Sequence, residues 1–526
     1  MSTAAIVTIP VLILFFALMV FVGLRYRKRA KSLDGFVLGG RTVGPWLTAF
    51  AFGTSYFSAV IFVGYAGQFG WNFGLASTWI GLGNAFLGSL LAWQVLGRRT
   101  RVMTQALDSR TMPDFFAKRY GSHALTVAAS VIVFVFLIPY TASLYNGLSS
   151  LFNQVFHIPY AVVVIVMAVL TGVYVIFGGY MATAVNDFIQ GLVMLVGIVA
   201  VIISVLNQNG GATNAITELS KIAVSGSEQE GAYTSFFGPQ PLYLLFVVVL
   251  TSLGTWGLPQ MVGKFYSIKD EDAIRKGTVI STFFAVVVAG GCYFLGGFGR
   301  LYDDPALYSA AGKLFSDRIV PSMLSTLAPA MIALVIVLVL SASMSTLSSL
   351  ALTSASTLTL DLVVPAAKRR HPDAEKRSVL IIRIFIVFFV ALSAVIAILK
   401  DTVFADSVFI AQMMGVSWGA LAGSFLAPFL WGLYSRKISR AAVWTCFVYG
   451  SGLEILQLLV SMGVLPWGNT LLFRNSLYSG VFAMVGGLIL VPLVSLFTKK
   501  SVPENAEEIF HCYDQKITTD VTDSLG

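Results

Sequence analysis

Charge is scarce in this chain. Lys, Arg, Asp and Glu together make up 11% of its 526 residues, whereas 57% are hydrophobic. Soluble domains carry about 25% charged residues, so a water-facing globular protein is excluded. Cysteine is nearly absent too: Cys292 and Cys446 lie in apolar runs and Cys512 in the C-terminal tail. That excludes a disulfide framework and a thiolate metal cluster. The four histidines, His123, His157, His371 and His511, have no ligand-spaced partner and read as surface or interfacial residues. No phosphate-cradling glycine loop is present, and no stretch resembles a soluble catalytic or kinase domain. Energy from ATP hydrolysed by this chain is thereby ruled out.

What the chain does have is apolar length. A bilayer-crossing helix needs about 20 predominantly apolar residues. Thirteen such runs are predicted, at about 4–24, 44–69, 76–97, 123–152, 160–180, 184–207, 240–262, 277–300, 322–362, 378–399, 404–433, 440–463 and 476–498. The first is followed by RYRKRAK with no small-residue cleavage site, so it reads as a retained helix. With the N-terminus outside, 28 of the 34 Lys and Arg fall on the cytoplasmic side, in 25–41, 98–119, 264–276, 368–383, 436–440 and the tail. That asymmetry is the positive-inside pattern. It accounts for the net charge of +9 through anionic inner-leaflet headgroups, with no nucleic acid required. An odd number of crossings puts the C-terminus in the cytoplasm. The tail from Ser501 is polar and expected to be poorly ordered.

Three places interrupt the apolar runs. The segment 341–361, SASMSTLSSLALTSASTLTLD, packs hydroxyls where lipid is expected. Adjacent Ser345 and Thr346, with the Ala342 carbonyl one turn earlier, can set three oxygens around a small hard cation such as Na⁺. The plainer reading is that each hydroxyl bonds back to its own helix or to a neighbouring one. The segment 48–67 holds Gly53, Thr54, Ser55 and Ser58 at mid-membrane depth. The segment 251–263, TSLGTWGLPQMVG, contains Gly254, Gly257, Gly263 and the helix-breaking Pro259. Two interrupted spans in corresponding positions of two halves indicate an inverted repeat with a central site; close glycine packing is the alternative. Asp187 is expected at the cytoplasmic membrane face, either as a functional acid or as a helix-start residue favoured by the macrodipole. Glu454, deep in the twelfth run, is assigned no role.

On these residues the chain resembles the sodium:solute symporter family, which includes the proline, pantothenate, sialic acid, iodide and glucose symporters. FVLGGRTVGPW (36–46), SYFSAVIFVG (55–64), FGGYMATAVNDFIQG (177–191), WGLPQMVGKF (256–265) and SASMSTLSS (341–349) carry the resemblance, which covers roughly residues 5–500. It implies an all-α polytopic membrane protein with a LeuT-like fold of two inverted five-helix repeats. The implied layout is an extra N-terminal helix and basic loop (1–31), a first repeat (32–207), an exterior loop (208–239) and a second repeat (240–435). Two further helices (436–500) and a cytoplasmic tail (501–526) complete it.

The resemblance also implies sites. The Na⁺ site would use the carbonyls of Thr54, Phe57 and Ala342 and the hydroxyls of Ser345 and Thr346. Asp187 would border the ion path, and with Ser348 and Ser349 could hold a second sodium. Solute candidates are Tyr56, Ser58, Ala59, Phe62, Asn84, Tyr140, Ser143, Trp256, Gln260 and Gln412. Gln260 departs from the family, several members of which have His there. Ile61 occupies a position that is polar in sugar transporters, which favours a carboxylate-bearing solute or amino acid. The expected partners are a small-molecule solute and the lipid bilayer, with Na⁺ as coupling ion and no obligatory protein partner. Two other readings stay open: an H⁺-coupled symporter of the same fold, and a non-transporting solute sensor.

Overall fold

In hydrocarbon every backbone N–H and C=O must be satisfied within the protein, so apolar runs of this length fold as helices. The computed structural model describes residues 3–156, 158–224, 230–309, 312, 314–368, 372–403 and 409–514. Among them the chain is helical, with two isolated bridges (Val43 with Ile268, Tyr308 with Leu314) and no strand. The principal helices are α1 (Thr3–Arg25), α2 (Pro45–Tyr56), α3 (His123–Phe156), α4 (Tyr160–Gln208), α5 (Pro241–Leu253) and α6 (Pro259–Tyr266). They continue as α7 (Glu271–Ala285), α8 (Pro329–Thr357), α9 (Ser378–Val403), α10 (Phe409–Tyr434), α11 (Arg440–Ser461) and α12 (Ser476–Phe497).

Ten helices among the described residues are long and apolar enough to cross a membrane, or eleven counting one bent pair. This is fewer than the thirteen runs expected, because neighbouring runs fuse into continuous helices. α4 alone has 49 residues, on the order of 70 Å at about 1.5 Å per residue, too long for one crossing of a ~30 Å hydrocarbon core. It bends at Gly179, where φ is 56° and ψ −152°. Only glycine adopts that region readily, and an added Cβ would lie 2.9 Å from the Phe36 carbonyl oxygen. Gly179→Ala is therefore expected to cost about 1–3 kcal/mol, read as a lower melting temperature in detergent. A variant that melts with the wild type would show that the bend tolerates a side chain.

Both interrupted spans are broken. α2 ends at Tyr56, Phe57 is extended (φ −81°, ψ 107°), and helix resumes over Val60–Tyr65 and Ala66–Phe73. α5 tightens over Gly254–Gly257, Leu258 is extended, and Pro259 opens α6 at the first helical position, where its missing N–H costs nothing. The axis turns by 47° there. At the basic end of the molecule the two broken spans are stitched together. Val43 N–H donates to the Ser267 carbonyl at 3.1 Å, and Lys269 N–H to the Val43 carbonyl at 3.1 Å. The Arg41 guanidinium donates to the carbonyls of Tyr266 (3.3 Å), Thr104 (3.3 Å) and Ser109 (2.8 Å).

α8 is the central helix, buried without interruption over 335–352 and packed on α4, α3, α1 and α9. α10, α11 and α12 form a bundle of their own beside it. Large apolar side chains such as Leu14, Phe21, Val196, Ile384 and Phe497 stand more than half exposed on the outer faces, or nearly so, as a lipid-facing surface requires. As far as Asp514 the tail departs from the expectation of poor order, and 515–526 lie outside the described residues. Ala506–Phe510 and His511–Asp514 form a short helical segment docked on the basic loops. Arg119 and Arg436 stand over the Phe510 ring, and Arg99 lies between the rings of Tyr434 (4.0 Å) and Tyr513 (4.7 Å). The Tyr513 hydroxyl donates to the Leu433 carbonyl at 2.9 Å. Polar composition concealed this because a few aromatic rings, placed over guanidinium groups, suffice to hold a short segment.

Candidate functional site

The break after Tyr56 frees a carbonyl. Thr54 lies in the last turn of α2, where helix carbonyls lack intrahelical partners. α8 brings two hydroxyls to it: Ser345 Oγ and Thr346 Oγ1 each stand 3.2 Å from the Thr54 carbonyl oxygen. The same hydroxyls lie 3.2 and 3.1 Å from the Ala342 carbonyl oxygen. A hydroxyl has one proton, so each can donate to only one of the two carbonyls it faces. The result is a buried cluster of four neutral oxygens from two elements, a donor set suited to a small hard cation. Phe57 does not join it by any hydrogen bond among the described residues; its N–H caps α2 by bonding the Gly53 carbonyl at 3.1 Å.

A second cluster lies one turn along α8. Ser349 Oγ is 2.9 Å from Ser55 Oγ and accepts a hydrogen bond from Lys264 Nζ at 3.0 Å. Lys264 Nζ stands 3.6 Å from Asp187 Oδ2 and 5.4 Å from the Tyr180 ring centre. At 3.6 Å the pair is ionic without being a hydrogen bond, and neither Asp187 oxygen has a hydrogen-bond partner among the described residues. Lys264 corrects the sequence reading, which counted it in a basic loop. It belongs to α6 and is 4% exposed, while Asp187 is fully buried. Asp187 sits about two turns beyond the bend of α4, so it is not a helix-start residue. Ser348 takes the plain alternative and donates back to the Ser345 carbonyl at 2.9 Å.

The solute candidates divide. Tyr56 and Tyr140 flank Trp418, with ring centres 5.7 and 6.0 Å away, and Ser58 adjoins Tyr140. The Tyr56 and Tyr140 hydroxyls, Ser58 Oγ and Trp418 Nε1 are buried and, by strict geometry, without a hydrogen-bond partner among the described residues, although Ser58 and Trp418 both adjoin the Tyr140 hydroxyl. Each such group costs about 1–3 kcal/mol unless something satisfies it, so this polar cluster is a candidate recognition surface. Asn84 accepts from Ser252 Oγ at 3.1 Å, leaving Nδ2 unpaired. With Tyr56 and Phe57 it lines a small cavity of ≈ 20 Å³ that Ser89, Thr255 and Phe284 complete. Gln260 has both amide atoms unpaired but lines a different cavity, ≈ 60 Å³, running past Lys264 and Ser349 to Arg110 and Thr111. That is room for a few waters.

Ser143 is occupied, donating to the Tyr140 carbonyl at 2.6 Å. Trp256 is occupied as well, its Nε1 donating to the Leu87 carbonyl at 3.0 Å. Ala59 and Phe62 are fully buried apolar contacts. Gln412 lies on α10, but its side chain falls outside the described residues. Glu454 is fully buried on α11, in space that Gly419 leaves by having no Cβ, and no hydrogen bond among the described residues joins it to the sites above. Sequence reasoning missed Trp418 and Lys264, and placed Ser55 in the interrupted span without a role. For Lys264 the signal was present: a cation only five residues after Pro259, inside an otherwise apolar half-span.

A family model described as the sodium:solute symporter family matches residues 36–449. The chain belongs to that family. It is a transporter and not an enzyme, and a multi-pass membrane protein. Among curated relatives, this symporter is 25% identical to sodium/proline symporter 2 of Staphylococcus saprophyticus, over 97% of this chain and 95% of that one. It is 27% identical to the sodium/proline symporter of Staphylococcus aureus, over 92% and 91%. A substrate-bound, outward-open structure of a Na⁺-coupled sialic acid symporter superposes with a TM-score of 0.68 at 16% identity, covering 93% of this chain and 97% of that one. The Eremococcus coleocola manganese transporter superposes at 0.51 and 14% identity, over 86% and 95%. At those identities the symporter shares the fold with them, and nothing more is taken from the likeness.

Proposed function

We propose that this symporter couples inward Na⁺ movement to uptake of a small organic solute by alternating access. The observation that carries the reading is the four-oxygen cluster of Thr54, Ala342, Ser345 and Thr346 at the first break. Na⁺ would bind there, with the Phe57 carbonyl as a further ligand if the break shifts. It would leave through the cavity lined by Gln260 and Lys264, with Asp187 bordering the path. The two breaks support two inverted repeats, 32–207 and 240–435, and the basic-residue asymmetry supports an N-terminus outside, in a layout of thirteen spans.

The solute would lie against Tyr56, Ser58, Tyr140 and Trp418, with Asn84 and Gln260 at the edges and Ala59 and Phe62 as apolar floor. These unpaired groups are neutral donors, which suits a carboxylate-bearing solute or amino acid. The curated relatives named sodium/proline symporters point the same way. Proton coupling through Asp187 is disfavoured, because that carboxylate already faces a lysine ammonium.

The test is uptake of a labelled panel of amino acids and monocarboxylates into proteoliposomes, with Na⁺ replaced by K⁺ or choline. An inward Na⁺ gradient is expected to drive accumulation and a pH gradient alone is not. Accumulation that follows the pH gradient in Na⁺-free buffer would overturn the sodium assignment.

A further inference from the structure

The cluster around Lys264 has the makings of a cation site, and it contains a cation already. Asp187 supplies a carboxylate in a buried position, and Ser349 and Ser55 supply hydroxyl oxygens nearby. Lys264 Nζ reaches both kinds of donor, Ser349 at 3.0 Å and Asp187 at 3.6 Å. The elements are shared with the four-oxygen cluster: Ser55 follows Thr54 on α2, and Ser349 lies one turn beyond Ser345 and Thr346 on α8.

We propose that the Lys264 ammonium takes the place a second Na⁺ would occupy beside Asp187 and Ser349, so that the symporter binds a single Na⁺ per cycle. The inference rests on the Na⁺ reading given under Proposed function. Charge balance carries it. One buried carboxylate neutralises one cation, and a second positive charge there would be left uncompensated in a low-dielectric interior, where unpaired charge is strongly disfavoured. Hydrogen-bonding capacity agrees, since the Ser349 oxygen that would face the ion already accepts from the ammonium. A sodium ion travels with the solute, but an ammonium fixed to α6 does not. The protein therefore keeps this charge, and one fewer is carried across the membrane in each cycle.

The experiment is ²²Na⁺ binding to the purified full-length protein in lipid nanodiscs, read as ions bound per chain at saturation and as the Hill coefficient. The wild type is expected to bind one Na⁺ with a Hill coefficient of one. Lys264→Met keeps much of the apolar stem but removes the charge, leaving Asp187 and Ser349 free. It is expected to bind two Na⁺ with a Hill coefficient above one. Adding Asp187→Asn to Lys264→Met removes the attracting charge and should return the count to one. Two ions on the wild type, or one ion on Lys264→Met, would overturn the proposal while leaving the sodium reading intact. No bound Na⁺ on the wild type would overturn the sodium reading and this proposal with it. If Lys264→Met does not fold, the wild-type count and Lys264→Arg, expected to remain at one, decide the matter.

Discussion

Thr346→Ala is expected to raise the half-saturating Na⁺ concentration roughly 5- to 150-fold. Thr346 Oγ1 is one of four clustered oxygens, and loss of an uncharged ligand or hydrogen-bonding group costs about 1–3 kcal/mol. Two further substitutions separate ligation from packing. Thr346→Ser retains the hydroxyl and should be mild. Thr346→Val retains the shape, loses the oxygen, and should match Ala. Because ion and solute binding are coupled, the loss is reciprocal: solute affinity at fixed Na⁺ should fall, and saturating Na⁺ should partly restore it. Na⁺ dependence of solute uptake in proteoliposomes is the measurement. Wild-type behaviour in Val with impairment in Ser would make the position a packing site.

Asp187→Asn is expected to damage both stability and Na⁺ affinity. Removing one partner of a buried ion pair leaves the other charge uncompensated, at about 3–5 kcal/mol. The stranded ammonium is Lys264, held by Ser349 one helical turn from the four-oxygen cluster. With the carboxylate no longer offsetting it, repulsion of a bound Na⁺ by a unit charge about one helical turn away, at an effective dielectric constant near 20, is on the order of 2–3 kcal/mol. Half-saturating Na⁺ should therefore rise on the order of 100-fold, and the melting temperature should drop. Pairing the change with Lys264→Met removes both charges and should recover most of each loss. If the single variant melts and binds Na⁺ like the wild type, the two side chains are not energetically coupled.

Much of the candidate site was legible because its chemistry is local. A hydroxyl pair beside a carbonyl in an apolar run, a glycine- and serine-rich stretch, and a proline after glycines each announce themselves over a few residues. The two breaks fall where those patterns lie, at Phe57–Ser58 and at Leu258. The solute residues were less legible. Ser143 and Trp256 are of suitable type, but Ser143 bonds the preceding turn and Trp256 bonds Leu87. No sequence pattern says which way a side chain on a buried helix will face.

The sequence by itself determined the membrane class, the helical architecture and where hydroxyl-bearing residues, glycines and a proline interrupt the apolar runs. Composition, apolar run length and the needs of a backbone in lipid act on short stretches of chain. Only the tertiary structure decided which of those stretches meet. Thr346 reaches Thr54 across 292 residues, and Lys264, which the sequence reading counted with a cytoplasmic loop, is an internal partner of Asp187. Trp418 joins Tyr56 and Tyr140, and the tail packs its rings against arginines from two separate basic segments, 98–119 and 436–440. The physical reason is the same in each case. Burial and pairing are set by the neighbouring helices, and a residue cannot be known as buried, paired or free until those neighbours are in place.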